Sequence, residues 1–87
     1  MKIKKEVDYY GTIHYFNEKN QHHREDGPAI EYSNGYKSWR QYGKLHRLDG
    51  PAIISNTGVE SWYLNGKQIL VFSQEEFERY LRLTAFI

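Results

Sequence analysis

The chain has 87 residues, 39% of them apolar and 16% aromatic, and 12 Lys and Arg against 11 Asp and Glu leave a net charge of +1. So even a balance argues against a dedicated nucleic-acid binder, which needs clustered cations to release counterions. With no Cys there are no disulfide staples or thiolate metal sites, and no apolar run reaches the ~18 residues of a membrane span.

A single domain over residues 1–87 is expected, able to bury about 60–65% of its unfolded surface. Mean hydropathy is −0.82, so the aromatic rings, each burying roughly 150–250 Å², must supply much of the adhesion. The basic start Met1-Lys2-Ile3-Lys4-Lys5 lacks the apolar stretch of a signal peptide. Together with the absence of Cys, this reads as a cytoplasmic protein.

Taken in chain order, the first recognisable segment is Tyr10-Gly11-Thr12-Ile13-His14-Tyr15-Phe16, a degenerate copy of Asn34-Gly35-Tyr36-Lys37-Ser38-Trp39-Arg40. The phrase His-Arg-Glu-Asp-Gly-Pro-Ala-Ile at His23–Ile30 then returns as His-Arg-Leu-Asp-Gly-Pro-Ala-Ile at His46–Ile53, 46 − 23 = 23 residues later. The same offset links Gly35 to Gly58, Ser38-Trp39 to Ser61-Trp62 and Gly43-Lys44 to Gly66-Lys67. A fixed period of this size marks stacked copies of one supersecondary unit. About two and a half units of 23 residues fill residues 10–69.

Within a unit, Pro28-Ala-Ile-Glu-Tyr32 and Tyr36-Lys-Ser-Trp-Arg-Gln-Tyr42 read as strands around Asn34-Gly35, a pair that favours a type I′ hairpin turn. The next unit repeats this with Pro51–Ser55, the turn Asn56-Thr57-Gly58 and Val59–Leu64, followed by Asn65-Gly66. The expected fold is mainly β, an antiparallel meander of repeated hairpins with one C-terminal α-helix. Alternation puts Tyr36, Ser38, Arg40 and Tyr42 on one face and Lys37, Trp39 and Gln41 on the other. Val59, Ser61 and Tyr63 oppose Glu60, Trp62 and Leu64 in the same way. Equivalent Trp39 and Trp62 should stack in a row that forms the core.

At the end of the chain Ser73-Gln-Glu-Glu76 is a capping box, and Phe77, Tyr80, Leu81 and Leu83 or Thr84 follow at helical spacing. A helix over 73–84 is predicted to lie on the aromatic face, since about ten residues do not hold a helix alone.

The repeated polar phrase invites an acid–base reading, but turn chemistry explains it better. Asp before Gly-Pro suits an Asx turn, Gly27 and Gly50 give backbone freedom, and Pro28 and Pro51 start strands. Arg24 and Arg47 can pair with Asp26 and Asp49 or stack on aromatic rings. His46-Arg47-Leu48-Asp49 echoes a kinase catalytic loop, but the downstream Asn and metal-binding Asp are missing. His14, His22, His23 and His46 show no His-x₃-His pair, so no metal and no cofactor is expected. No glycine-rich phosphate cradle is present.

With its Asn34-Gly35…Trp39…Gly43-Lys44-Leu45-His46-Arg47-Leu48-Asp49-Gly50-Pro51-Ala52 unit, the chain resembles MORN-like variant repeat proteins. The His-Arg-x-Asp-Gly-Pro-Ala form is similar to repeats in small phage and large-virus proteins that end, as here, in Trp62–Lys67 and a short helix. That resemblance implies an elongated antiparallel sheet and a binding role, with no catalytic residues.

The preferred function is therefore a non-enzymatic protein-interaction module, and a phage origin would make it an inhibitor of a host enzyme or defence complex acting in the host cytoplasm. Tyr36, Arg40, Tyr42, Val59, Tyr63 and Arg47 are the candidate interface residues, of the types that dominate binding hot spots. Homodimerisation through strand edges is a further route. The alternatives are single-stranded nucleic-acid binding by Tyr and Trp stacking and a metal-independent ribonuclease using His23 or His46 with Arg24 or Arg47.

Overall fold

A computed structural model describes residues 1–84. Among them are nine strands and one helix: β1 (Lys4–Val7), β2 (Ile13–Phe16), β3 (Ile30–Glu31), β4 (Lys37–Ser38), β5 (Arg40–Gln41), β6 (Lys44–Leu45), β7 (Ile53–Ile54), β8 (Glu60–Leu64), β9 (Lys67–Ile69) and α1 (Gln74–Thr84). Seven strands form one sheet in the order β1-β2-β3-β4-β7-β8-β9, with every neighbour antiparallel. The fold is thus the expected antiparallel meander closed by a C-terminal helix. The ladder begins at Lys4, upstream of the point where the sequence copy becomes readable.

The strand expected over Tyr36–Tyr42 is interrupted. Its second half, β5, pairs with β6 as a separate two-stranded arm. Trp39 is the joint: its N–H donates to the Ala52 carbonyl at 2.7 Å and its carbonyl accepts from His46 N–H at 3.0 Å. Tyr15 makes the same pair of bonds with Ala29 (2.9 Å) and His23 (3.0 Å), while Trp62 pairs with Ile69. Residues 15, 39 and 62 therefore hold one structural position in three successive units.

Turn geometry corrects one expectation. Asn34-Gly35 is not a type I′ turn, because only Gly35 is left-handed, at φ 97°. Gly35 N–H donates to the Tyr32 carbonyl at 2.9 Å and Tyr32 N–H to Tyr36 at 2.9 Å. This is a three-residue connection with a type I turn and a glycine bulge. Asp8–Thr12 and Ser55–Val59 are built alike, with Gly11 at 86° and Gly58 at 89°. The two-residue turns with both positions left-handed are Tyr42-Gly43 (52° and 81°) and Asn65-Gly66 (49° and 84°). Tyr42, expected on a strand, is a turn residue.

Directly paired residues share a face of an antiparallel sheet. His14, Ile30, Ser38, Ile53 and Ser61 are linked in one such row, and Ile13, Glu31, Lys37, Ile54 and Glu60 in the other. Trp62 follows Glu60 by two residues and lies on the second face, where α1 packs. Trp62, Ile69 and Phe77 are buried there, flanked by Leu64, Val71, Tyr80 and Leu81. Trp62 Nε1–H donates to Gln74 Oε1 at 2.8 Å, and the Phe77 ring lies 6.4 Å away.

The capping box forms. Ser73 Oγ accepts from Glu76 N–H at 3.2 Å, and Glu76 Oε1 accepts from Phe72 N–H at 3.2 Å. Leu83 stays exposed, and Thr84 turns its hydroxyl back onto the Tyr80 carbonyl.

The expected tryptophan row exists in register but does not form one core. Trp62 is covered by α1, whereas Trp39 is half-buried and covered by the Arg47 guanidinium, 3.9 Å above the ring. Phe77→Ala should therefore cost about 3–5 kcal/mol in urea unfolding. Trp39→Ala, at a half-exposed ring, should cost clearly less.

Candidate functional site

The duplicated phrase shows what its polar residues do. Arg47 donates from Nε to Asp49 Oδ1 (3.0 Å) and from Nη1 to the Pro51 carbonyl (3.0 Å) while lying over Trp39. Arg24 repeats this with Asp26 (3.0 Å), Pro28 (3.2 Å) and the Tyr15 ring (4.0 Å), and adds Glu31 at 3.4 Å. The planar guanidinium suits the task because it stacks and donates in-plane at once.

Two assigned roles change. Asp26 and Asp49 bind the arginine Nε rather than closing an Asx turn on backbone amides. Gly27 and Gly50 are not left-handed. They leave room, since a Cβ there would stand 2.8 Å from Arg24 Cζ and 2.5 Å from Arg47 Cζ.

The histidines of the phrase are also structural. His23 Nδ1 accepts from Tyr42 N–H at 2.9 Å, and His46 Nδ1 from Asn65 N–H at 3.0 Å. Each imidazole thus fixes the first left-handed residue of the neighbouring turn. The His23 side chain is fully buried, with Nε2 3.6 Å from Glu25 Oε1.

The other face holds Tyr36, Arg40 and Tyr63 of the candidate interface. Tyr36 and Arg40 come together with Tyr32, Asn34, Lys37, Ser38 and Ile53 around an open groove of about 240 Å³. Tyr32 and Tyr36 meet edge to face at 6.4 Å and are each 39% exposed. Arg40 is aimed by two bonds, from Nε to Ser38 Oγ (3.3 Å) and from Nη1 to the Gly43 carbonyl (3.2 Å). Tyr63 lies half-buried on this face, two residues beyond Ser61.

Val59 is exposed at the end of the Ser55–Val59 turn, outside the groove. Tyr42 is exposed but sets its ring against His23, with centroids 4.6 Å apart. Arg47 is on Trp39, across the sheet. Tyr32, beside the turn, was not among the expected site residues, although its place before Ser-Asn-Gly marks it as a turn-flanking aromatic.

A second cluster escaped the sequence reading. His14 Nε2 lies 2.9 Å from Asp8 Oδ2, and His14 Nδ1 lies 3.0 Å from His22 Nε2. Phe16 stacks on His14 (5.7 Å, 6° between planes) and sits 4.5 Å from His22. Burial holds the His22 pKa below its ordinary value, and the nearby charges of His14 and Arg40 add to this. Asp8 is lowered chiefly by its bond to His14, against an opposing burial penalty, with the Thr12 and Tyr10 amides assisting. The Phe16–His22 bridge brings the two histidines together.

Among the described residues no three His, Asp or Glu side chains converge as metal ligands. No described helix is long and apolar enough to cross a membrane. No protein-family model matches the chain, and neither does any curated protein or solved structure.

Gly50→Ala tests the clasp directly. The added methyl should displace Arg47 from Trp39 and destabilise the fold by about 1–3 kcal/mol, as overpacking does. Thermal unfolding measures the loss, and Trp fluorescence should report the uncovered ring.

Proposed function

We propose that this chain is a non-enzymatic protein-interaction module that engages its partner through the sheet face opposite α1. One observation carries the reading: the exposed Tyr32–Tyr36 pair and the aimed Arg40 surround a groove that the helix leaves open. Tyr and Arg are the residue types over-represented among binding hot spots, and a ring pair over an aliphatic floor such as Ile53 offers an anchor site.

The commitment of Arg24 and Arg47 to their own aromatic rings leaves Lys37 and Arg40 as the charged residues of the groove. Two cations give little counterion release, which favours a protein over a nucleic-acid strand. The buried His23 and the amide-bonded His46 offer no acid–base pair, which favours binding over RNA cleavage.

The finer reading, occlusion of a host enzyme or defence complex in the host cytoplasm, rests on the likeness of the repeated phrase to phage and large-virus repeats. Self-association is favoured at one edge. β1 carries Lys4, Lys5 and Glu6, whereas β9 leads into Leu70, 84% exposed, and Phe72, 91% exposed. Charged edge strands resist pairing; apolar ones invite it.

Affinity capture with the tagged chain tests the interface. Tyr32→Ala and Tyr36→Ala should each weaken retention of the partner about tenfold or more, the effect of losing over 1.4 kcal/mol, with the urea midpoint shifted little. Equal retention by wild type and both variants would remove the groove from consideration.

A further inference from the structure

We propose that Asp8, His14 and His22 form a proton-counting latch, closed while the two imidazoles carry at most one added proton and opened by the second. The assignment follows from what each nitrogen faces. Asp8 Oδ2 accepts from His14 Nε2–H, which leaves His14 Nδ1 opposite His22 Nε2 at 3.0 Å. With both rings neutral, one donates to the other across that gap. One added proton can rest on either ring, because the remaining neutral imidazole still offers a lone pair. When both rings are protonated, two N–H groups and two positive charges confront each other at hydrogen-bond distance, and the bond is lost.

The surroundings oppose the second proton. Arg40 adds a positive charge from the β5–β6 arm, and the Phe16 ring lies beside both imidazoles. Glu6 stands opposite His14 on β1, but its carboxylate is engaged by Lys4 at 3.1 Å. From β3, uncharged Ile30 faces His14. Burial and the neighbouring charges hold His22 below its ordinary value of 6.5.

The sign follows. The unfolded chain takes up the His22 proton more readily than the folded one, so the stabilisation is complete above pH 6.5. It is lost as pH falls through the lowered folded value. The Asp8 contribution lies lower, disappearing only below 3.8.

The latch joins three segments. Asp8 heads the Asp8–Thr12 turn, whose Thr12 amide it also binds at 3.0 Å. His22 ends the reversal that bridges Phe16, and its carbonyl accepts from Gly43 N–H at 2.9 Å. Gly43 in turn holds Arg40 through its own carbonyl. Opening would therefore loosen the residue that aims Arg40 into the tyrosine groove. That consequence rests on the proposed interface, whereas the latch itself does not.

The test is a residue-resolved NMR titration of the full chain from pH 8 to 4.5, following the imidazole nitrogens and the Thr12 and Gly43 amides. His22 should take up its proton in a step displaced below its ordinary value. The Thr12 and Gly43 amides should shift only with that step. His22→Phe keeps a ring against Phe16 and should abolish that step and the Gly43 shift; His22→Gln, with an N–H for His14, should do the same.

Titration of His22 at its ordinary imidazole value in the wild type would overturn the latch, whatever the variants do. So would an unchanged Gly43 shift in a folded variant. Loss of the interface reading would leave these titrations unaltered, so the two failures are distinguishable.

Discussion

An arginine laid on an aromatic ring is the contact on which the sheet depends. A slab 18 Å thick with one helix cannot surround its rings with aliphatic side chains along most of its length. Arg24 and Arg47 solve this locally. Each covers a ring with its guanidinium and hands its in-plane donors to an aspartate and a proline carbonyl. The charge is never taken out of water entirely, because Asp26 and Asp49 stay almost fully exposed. Desolvation is then modest and packing is retained, which is how long cationic side chains cover apolar surface.

The last unit shows what happens without that arginine. At the 23-residue offset Leu70 stands where Arg47 would, and Ile69 where His46 would. Ile69 is buried against Trp62, but Leu70 points to solvent. The ring then needs another cover, and α1 supplies it with Phe77, Tyr80 and Leu81. Gln74 satisfies the indole N–H that burial would otherwise strand, a cost of order 1–3 kcal/mol if left unmet. Helix and arginine are alternative solutions to one packing problem, and the helix is the one that ends a stack.

The sequence made the period, the order of hairpins, the face of each tryptophan and the capped helix legible, because these follow from spacing and local pattern. It misled wherever one residue's role depends on a remote neighbour. Asn34-Gly35 had the strongest local turn signal, yet the left-handed pair fell on Tyr42-Gly43, where His23 binds the Tyr42 amide across the unit boundary. Gly27 and Gly50 read as sources of backbone freedom, but they are spaces for a guanidinium. The Asp8–His14–His22 chain was invisible, since histidines eight residues apart meet only through the Asn17–Gln21 reversal.

The faces also differ in what the repeat preserves. Positions that build the clasp keep their chemistry from unit to unit: Tyr15 or Trp39, Arg24 or Arg47, Asp26 or Asp49. Around the groove the same positions diverge. Tyr36 corresponds to Thr12 and Val59, Tyr32 to Asp8 and Ser55, and Arg40 to Phe16 and Tyr63. A structural role constrains each copy that must cover its ring with an arginine, and only the last copy, closed by α1, is released from it. Recognition through the proposed interface would constrain only the unit that meets the partner. The conspicuous duplicated phrase is thus the part of the chain least suited to specificity. On the proposed reading, the unrepeated tyrosines and arginine of the middle unit are the part best suited to it.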